Sequence, residues 1–354
     1  MIIQLSNKDD SIVYPPVTSF QDLSIDTELN LGYSLASWTM KRDALRSYDD
    51  LKPYVQVKIM DDGEIVWEGY IDEPRHKGYE FRITCLGWAS ILGTTGVRVD
   101  QPSQKCSTFI NSTVLADADV SAFLSAGTIQ TGDYTCPILD DIRPWKYYSE
   151  VLGEYLKWND WRLNVWEKKR VFWEPKQTTI KWVVRASDCK DFEITQSPQN
   201  YWNVVPYSYT QTDTQVYIDQ TGLTASQTQW GRKVYRALDI PGVVTPTQAA
   251  DIADKFLYDG ATMTVVGDLN TAKVYEYPSF IPVTKLWRVK AGDPVLVVEY
   301  LPGDAGIGDT VNEITSFEIR GTSYNHKEKR IVIAPKEWNS SIDVTLARLE
   351  AKAK

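Results

Sequence analysis

"KPYVQVKIMDDGEIVWEGYIDEPRHKGYEFRITC" runs from Lys52 to Cys85, and its pattern of elements recurs towards the other end of the chain. There, "GDPVLVVEYLPG" begins at Gly292, and "EITSFEIRGTSYNHKEKRIVIAP" extends from Glu313 to Pro335. Each copy contains a proline, an alternating apolar strand, a turn, a bent strand with a glycine, a basic hairpin and a final alternating strand. The chain has two histidines, His76 and His326, and they occupy the same place in the two copies. This repetition predicts two related antiparallel β-barrels in one chain.

The first copy predicts three consecutive strands. Residues 55–59 alternate apolar and polar side chains, which is typical of a half-buried strand, and Asp61–Gly63 is a strong tight-turn signal. We expect Gly69 to lie at a bulge where the next strand bends. Arg75–Gly78 is then expected to turn the chain into the last strand of the unit.

The middle of the chain predicts a helix followed by a β-hairpin. Pro144 suits the first turn of a helix, and the apolar residues after it fall on one helical stripe: Tyr148, Val151, Leu152, Tyr155 and Leu156. "WRLNVWEKKRVFWEP" then alternates as a hairpin around an "EKKR" turn. A second helix is predicted after Thr245, which forms a capping box with Gln248, and Gly260 is expected to end this helix.

These patterns predict a mainly β chain with a few helices, of the α+β class. A chain of 354 residues exceeds the length that one hydrophobic core usually supports, so two or three domains are expected. We predict a first β-barrel over residues 1–100 and an inserted helix and β-hairpin module over 101–200. Residues 201–354 are predicted to form a linker, a helix and the second β-barrel.

The composition restricts the class of partner. The formal net charge is −9, from 38 basic and 47 acidic residues, which argues against a dedicated nucleic-acid binder. No apolar run approaches the roughly 18 residues that span a bilayer, and no secretory signal is visible, so we expect a cytosolic protein that does not insert into membranes. The four cysteines lack the spacing of a zinc site. We interpret them as reduced, mostly buried thiols, with a Cys106–Cys136 disulfide as the alternative.

The sequence offers few groups for catalysis. It contains none of the common nucleophile, metal-protease or phosphate-binding motifs, and both histidines are interpreted as solvated turn residues. The carboxylates of Asp140–Asp141 and Asn159–Asp160 lie near Trp145, Trp158 and Trp161, so a lysozyme-like cleft is an alternative. Calcium could be held by the oxygen-rich turns at 61–64 and 303–309, although neither has the EF-hand spacing. We predict no enzyme and assign no catalytic, cofactor-binding or metal-binding residue.

Several segments together resemble the baseplate-hub or tail-tip hub proteins of long-tailed bacteriophages, often called minor tail proteins, and their relatives in contractile injection systems. "VKIMDDGEIVWEGYIDEP" and "LGWASIL" are similar to the first barrel of these hubs. "YWNVVPYSY", "WGRKVYRALDI" and "TPTQAADIADKFL" are similar to the passage into the second barrel. "VKAGDPVLV" and "YNHKEKRIVIAP" are similar to the last strands of that barrel.

This resemblance implies a structural protein of the virion tail that is assembled in the host cytoplasm. Three chains with two barrels each would form a trimeric pseudo-sixfold ring, which adapts a sixfold tail tube to a threefold tip. The implied partners are the tail tube, the distal tail protein, a tip, spike or fibre protein, the tape measure protein, and DNA that passes through without specific binding.

Two other functions remain open, and the ring contacts are a separate hypothesis. One alternative is a hexameric distal tail protein with one barrel per chain. The other is a carbohydrate-binding or hydrolytic tail-tip protein, which the 13 tryptophans and 20 tyrosines favour. For the ring, we expect exposed edges of the strands "VQVKIM" and "VLVVEY" to pair barrel to barrel. A proline at Val57 or Val297 would then prevent ring assembly more than it would disturb secondary structure. The alternative is that both strands are interior and the proline unfolds the barrel.

Overall fold

The structure is a computed structural model of the 354-residue chain. It describes residues 1–7, 10–41, 50–97, 103–136, 146–159, 161–192, 195–197, 201–212, 214–261, 264–299 and 316–335. The predicted class is confirmed: the chain is mainly β with few helices, and its main sheet curls into a half-barrel. None of the described helices is long and apolar enough to cross a bilayer.

The N-terminal strands build one side of a 16-stranded sheet. They are β1 Ile2–Ser6, β2 Gln21–Glu28, β3 Gly32–Lys41, β4 Gln56–Asp61, β5 Glu64–Lys77 and β6 Glu80–Gly87. Their spatial order is β1-β4-β5-β6-β3-β2, and every neighbouring pair is antiparallel. The predicted meander of three strands is therefore β4-β5-β6.

The alternation predicted for the first unit holds, because Val55, Val57 and Ile59 are all buried. Two details of this unit were wrong. The register of β5 against β6 shifts at Ile71–Glu73 rather than at Gly69. Gly69 is instead a point of close approach, where a Cβ would collide with the Leu86 carbonyl and the Trp67 ring. The turn is also shorter than predicted, because residues 75–77 belong to β5 and the chain reverses at residues 78–79.

The middle of the chain supplies short elements and one longer helix. They are β7 Gly96–Val97, β8 Gln104–Lys105, α1 Cys106–Phe109, α2 Ala118–Ser121, β9 Ser125–Ile129, β10 Thr135–Cys136, β11 Lys146–Tyr147, α3 Tyr148–Trp158, β12 Trp161–Trp166, β13 Arg170–Pro175, β14 Trp182–Arg185, β15 Cys189–Phe192 and β16 Thr195–Ser197. A 3-10 helix, Trp88–Gly93, and a π-helix, Ile110–Val114, lie among them.

The predicted helix and hairpin are both present. α3 begins at Tyr148, where the Glu150 carboxylate accepts a hydrogen bond from the Tyr147 backbone N–H at 3.0 Å. Its predicted stripe faces the core, since Tyr148, Val151, Leu152 and Tyr155 are buried and Leu156 packs beside them. β12 and β13 pair antiparallel around the turn at 167–169, as the "EKKR" segment predicts.

The remaining elements follow residue 200. They are β17 Val204–Thr210, β18 Val216–Gly222, α4 Thr224–Trp230, β19 Leu238–Val243, α5 Pro246–Ala261, β20 Thr264–Val266, β21 Leu269–Thr271, β22 Tyr275–Glu276, β23 Pro294–Val298, β24 Ser316–Asn325 and β25 Arg330–Pro335. β18, β17 and β19 form a separate three-stranded sheet against which α5 packs. The capping box of α5 is present: Thr245 N–H donates to Gln248 Oε1 at 2.9 Å, and Gln248 N–H donates to Thr245 Oγ1 at 3.3 Å. The helix ends at Ala261, one residue beyond the predicted Gly260.

The second copy of the repeat is also an antiparallel meander, β23-β24-β25. His76 lies at the end of β5 and His326 directly follows β24, so the two histidines occupy matching hairpins. β24 joins the two meanders into one sheet: its first residues pair with β23, its last five pair with β2, and β25 lies along its other edge.

Two large hydrophobic cores hold the chain together. One is shared by the N-terminal strands and by β14, β21, β23, β24 and β25, and includes Trp38, Trp67 and Ile333. The other is built mainly from residues 88–173 and 202–257, and includes Phe109 and Trp202. The strands predicted for the two barrels thus bury their side chains in a common core. The domain boundaries at residues 100 and 200 stay a prediction.

Candidate functional site

The joint between the two repeated meanders is the most distinctive site in the described chain. β2 and β24 pair from Ser24 against Asn325 to Glu28 against Gly321. In the middle of this ladder the buried Thr27 and Thr322 hydroxyls are hydrogen-bonded at 2.7 Å. The Ala291 backbone N–H also donates to Thr27 Oγ1, at 2.9 Å. The hydroxyl pair therefore links β2, β24 and the turn before β23.

A buried ion pair attaches the β12–β13 hairpin to this joint. The Arg162 guanidinium donates two hydrogen bonds to the Glu318 carboxylate, with Nη2 at 2.6 Å from Oε2, and the side chains are 8% and 4% exposed. Arg162 Nη1 also donates to the Trp161 carbonyl at 2.7 Å. Such a fork-to-fork pair fixes orientation as well as distance. It holds β12 against the first residues of β24.

A second polar cluster joins the same hairpin to β3 and to the turn before β23. The Glu167 carboxylate accepts from the Tyr33 hydroxyl at 2.7 Å and from Lys290 Nζ at 2.6 Å. Burial and the neighbouring Glu167 carboxylate raise the pKa of Tyr33, so this phenol stays a donor. Burial alone would raise the pKa of Glu167, but the Lys290 charge and the two hydrogen bonds outweigh it and lower that pKa.

The turn at 61–64, an alternative calcium site, is used for contacts with a distant segment. Glu64 accepts from Arg288 Nη2 at 2.7 Å, and Asp62 pairs with Lys285 at 3.2 Å. Asp61 accepts from the Trp287 indole N–H at 3.1 Å. Asp62 and Glu64 are thus neutralised by cations of the C-terminal half, and Asp61 lies 3.7 Å from the N-terminal ammonium group. The other candidate turn, residues 303–309, lies outside the described residues.

The two histidines contact aromatic rings rather than a nucleophile. His76 is exposed, and its ring meets Phe81 edge-on at 4.5 Å between centroids. His326 is half-buried, with its ring 6.0 Å from Phe20 and its Nδ1 3.2 Å from Lys329 Nζ. Burial and the Lys329 charge lower the pKa of His326. His76 is thus a strand residue next to its turn, and His326 is a half-buried turn residue, whereas both were predicted to be solvated turn residues.

Of the residues considered for a lysozyme-like cleft, the structure describes the side chains of Asn159 and Trp161. Asn159 is buried, accepts from the Tyr134 N–H at 2.8 Å and donates to the Tyr155 carbonyl at 3.2 Å, so its role is structural. Trp161 stacks on Trp173 in the core, at 5.4 Å. The other members, Asp140, Asp141, Trp145 and Asp160, lie outside the described residues, and the Trp158 side chain is not described.

All four cysteines are free thiols, so the alternative of a Cys106–Cys136 disulfide is wrong. Burial raises the pKa of Cys106 and, to about 12, that of Cys136. The Asn159 amide donates to Cys136 Sγ at 3.3 Å. Cys85, Cys106 and Cys136 are therefore inert core residues, whereas Cys189 is half-buried.

The expectation of exposed edges at "VQVKIM" and "VLVVEY" was wrong. β4 pairs with β1 on one side and β5 on the other, and β23 lies between β14 and β24. Val57 and Val297 are fully buried. A proline at either position is therefore expected to unfold the sheet rather than to remove a ring contact alone. In the described part of the chain, β18 and β19 are strands that pair on one side only, with β17.

Sequence reasoning missed the joint and its ion pairs. Thr27 and Thr322 are 295 residues apart, and Arg162 and Glu318 are 156 apart, so no local pattern connects them. The available signal was the repeat itself, which identifies two similar units but not how they meet.

Solved structures share this architecture over nearly the whole chain. The prophage tail protein gp18 from Listeria monocytogenes has a TM-score of 0.65 at 9% identity, covering 100% of this chain and 99% of its own. The 43 kDa tail protein of prophage MuSo2 from Shewanella oneidensis has a TM-score of 0.64 at 12% identity, covering 95% and 98%. A tail protein from Neisseria meningitidis has a TM-score of 0.61 at 11% identity, covering 96% and 98%.

Comparison by sequence finds no such likeness: no protein-family model and no curated protein matches the chain. The relationship is therefore one of architecture. The chain has the fold of phage tail proteins.

Proposed function

We propose that this chain is a structural hub protein of a phage tail, which forms a trimeric ring with pseudo-sixfold symmetry. The observation that carries this proposal is the repeat: β4-β5-β6 and β23-β24-β25 are matching meanders joined through β2 and β24. Three chains would present six such units. This arrangement suits an adaptor between a sixfold tube and a threefold tip.

The architecture of the joint supports a load-carrying role rather than catalysis. The Arg162–Glu318 pair and the Tyr33–Glu167–Lys290 cluster tie the hairpin to β24, β3 and the turn before β23 with charge-assisted hydrogen bonds. Such contacts fix the angle between the two units, which a ring with six equivalent positions requires. In this proposal the chain is not an enzyme.

The proposed location is the virion tail, after assembly in the host cytoplasm. The proposed partners are two further copies of the chain, the tail tube, the distal tail protein, a tip, spike or fibre protein and the tape measure protein. The net charge of −9 favours passage of DNA through the ring without specific binding, because like charges repel.

The test is the mass and symmetry of the purified chain, by light scattering and negative-stain images of the same peak. A particle of three times 40.3 kDa with six lobes supports the hub. A particle of six times that mass instead supports a hexameric distal tail protein. If the isolated chain is monomeric, the measurement is repeated with the tail tube protein co-expressed. A chain that joins no threefold ring on the tube contradicts the proposal.

A further inference from the structure

A solvent-open cleft of about 660 Å³ lies where the first meander meets the middle of the chain. Its walls come from the loop before β4, from β5, from the 3-10 helix Trp88–Gly93 with the residues after it, from α2, and from the start of α3. This volume is within the range of small-molecule sites, roughly 300–1,000 Å³. The structural role proposed above does not use this cleft.

One wall of the cleft is a continuous series of aromatic rings. Tyr54 stacks on Tyr70 at 5.5 Å and 22°, Tyr70 contacts Trp88 at 5.5 Å, and Trp88 stacks on Phe123 at 5.8 Å and 27°. Tyr54 is 70% exposed, so one face of its ring is held by Tyr70 while the other is open. A flat apolar part of a ligand, such as the C–H face of a sugar ring, can stack on the open face of an ordered aromatic ring.

The wall formed by α2 carries oriented hydrogen-bond acceptors. Asp117 Oδ1 accepts from the Asp119 backbone N–H at 2.8 Å, and Asp117 Oδ2 accepts from the Tyr148 hydroxyl at 2.8 Å. Burial and this hydrogen bond raise the pKa of Tyr148, which keeps the phenol protonated. Each carboxylate oxygen has a second lone pair, and the Asp119 side chain on the same wall is exposed. These groups accept from ligand hydroxyls.

The surroundings of the Trp88 ring bear on the charge of the ligand, because this ring lines the cleft. Lys169 Nζ already lies 4.8 Å from the centroid of the Trp88 ring. That position would otherwise attract a cationic ligand, so the cleft favours a neutral one.

We propose that this cleft binds a saccharide, as a neutral hexopyranose unit stacked on Tyr54 with its hydroxyls donating to Asp117 and Asp119. An open aromatic face and acceptors for several hydroxyls match the chemistry of a polyol with an apolar face. The ligand is recognised by stacking and hydrogen bonds, and no bond in it is cleaved. This inference does not depend on the ring proposed above.

The test is saturation-transfer NMR and calorimetry on the full chain with diacetylchitobiose, maltotriose, galactobiose and choline. We expect at least one of the sugars to bind. Tyr54→Ala should weaken that binding at least tenfold, and Asp119→Asn should weaken it about fivefold. Tyr79→Ala is the matched control, because Tyr79 is 84% exposed and does not line the cleft, and it should leave the affinity unchanged.

Both cleft variants alter exposed side chains, and their thermal unfolding should match that of the wild type. Asp119→Asn keeps the backbone N–H that donates to Asp117, so it tests the carboxylate without removing that contact. The inference is overturned if none of the three sugars binds. It is also overturned if choline alone binds, or if neither cleft variant weakens sugar binding.

Discussion

Removing the carboxylate of the buried Arg162–Glu318 pair should strongly destabilise the protein. Glu318→Gln keeps the shape of the side chain but leaves the Arg162 guanidinium charged and only 8% exposed. A glutamine oxygen can accept one of the two hydrogen bonds, whereas its NH₂ group faces the second N–H donor of the guanidinium. The buried cation is then uncompensated.

The expected loss of unfolding free energy is about 3–5 kcal/mol, the usual cost of breaking a buried ion pair from one side. The double variant Arg162→Met/Glu318→Leu removes both charges. It should recover most of this loss, because a well-packed apolar pair is often as stable as a buried ion pair. A deficit of about 1 kcal/mol should remain, since Arg162 also donates to the Trp161 carbonyl.

The assay is urea unfolding followed by tryptophan fluorescence, with free energies from linear extrapolation. Arg75→Met is the control, because the Arg75–Glu73 pair is 43% and 44% exposed and should contribute little to stability. The reasoning is refuted if Glu318→Gln is as stable as this control, or if the double variant is no more stable than Glu318→Gln alone.

Three further predictions concern the sheet, its response to pH and the thiols. Gly69→Ala should lower the free energy of unfolding by about 2–3 kcal/mol, because the added Cβ meets a backbone carbonyl of β6. At Gly63 the added Cβ meets open space, so Gly63→Ala should lower it by about 1 kcal/mol through the positive φ alone. Equal urea midpoints for the two variants would contradict this prediction. A hydrogen bond from Arg288 lowers the pKa of Glu64 in the folded protein. The stabilisation that this pair gives the folded state is therefore present above about pH 4.5 and is lost as the pH falls through the folded-state pKa of Glu64. Arg288→Met should therefore lower the urea midpoint more at pH 7 than at pH 3, and a difference that does not shrink as the pH falls would argue against this pair. Burial raises the pKa of Cys189 to about 11, and the other thiols are buried more deeply. Ellman's reagent at pH 8 should thus label at most this one cysteine before unfolding and all four afterwards, and a second reactive thiol in the native protein would contradict the described burial.

Local elements of the fold were predictable because their signals are local. The capping box at Thr245 and Gln248 marks the start of α5, and the helical stripe after Pro144 predicts α3, both through contacts within a few residues. The β4–β5 turn has the short-range signature of a tight turn. These features need no knowledge of the rest of the chain.

Long-range pairings were not predictable, because alternation identifies a strand but not its neighbours. "IIQLS" at residues 2–6 and "WVVR" at 182–185 were not recognised as strands, although they cover β4 and β23 and make them interior. Gly69 shows a second limit. A glycine in a strand indicates either a bulge or a close approach, and only the position of Leu86 decides between them.

In the candidate sites, too, the local features were predictable from the sequence and the long-range contacts were not. The turn at 61–64 was correctly identified as a cluster of carboxylates, but its partners Lys285 and Arg288 lie more than 200 residues away. The aromatic cleft is assembled from segments that span residues 54–148. The number of aromatic residues favoured the hypothesis of a sugar-binding surface, but it could not indicate that Tyr54, Tyr70 and Trp88 lie side by side.

The common core of the terminal strands has a consequence for the order of events during synthesis. Residues 88–257 contain most of one core, so that part can begin to pack while the ribosome is still translating the rest. β2 can pair with β24 only after β24 has been synthesised, and Thr322, the hydrogen-bond partner of Thr27, is added 295 residues after Thr27. Until then the apolar side chains of β1–β6 lack the strands that complete their core. A ribosome that stalls before residue 316 would thus release a chain whose N-terminal sheet is open to chaperones and proteases.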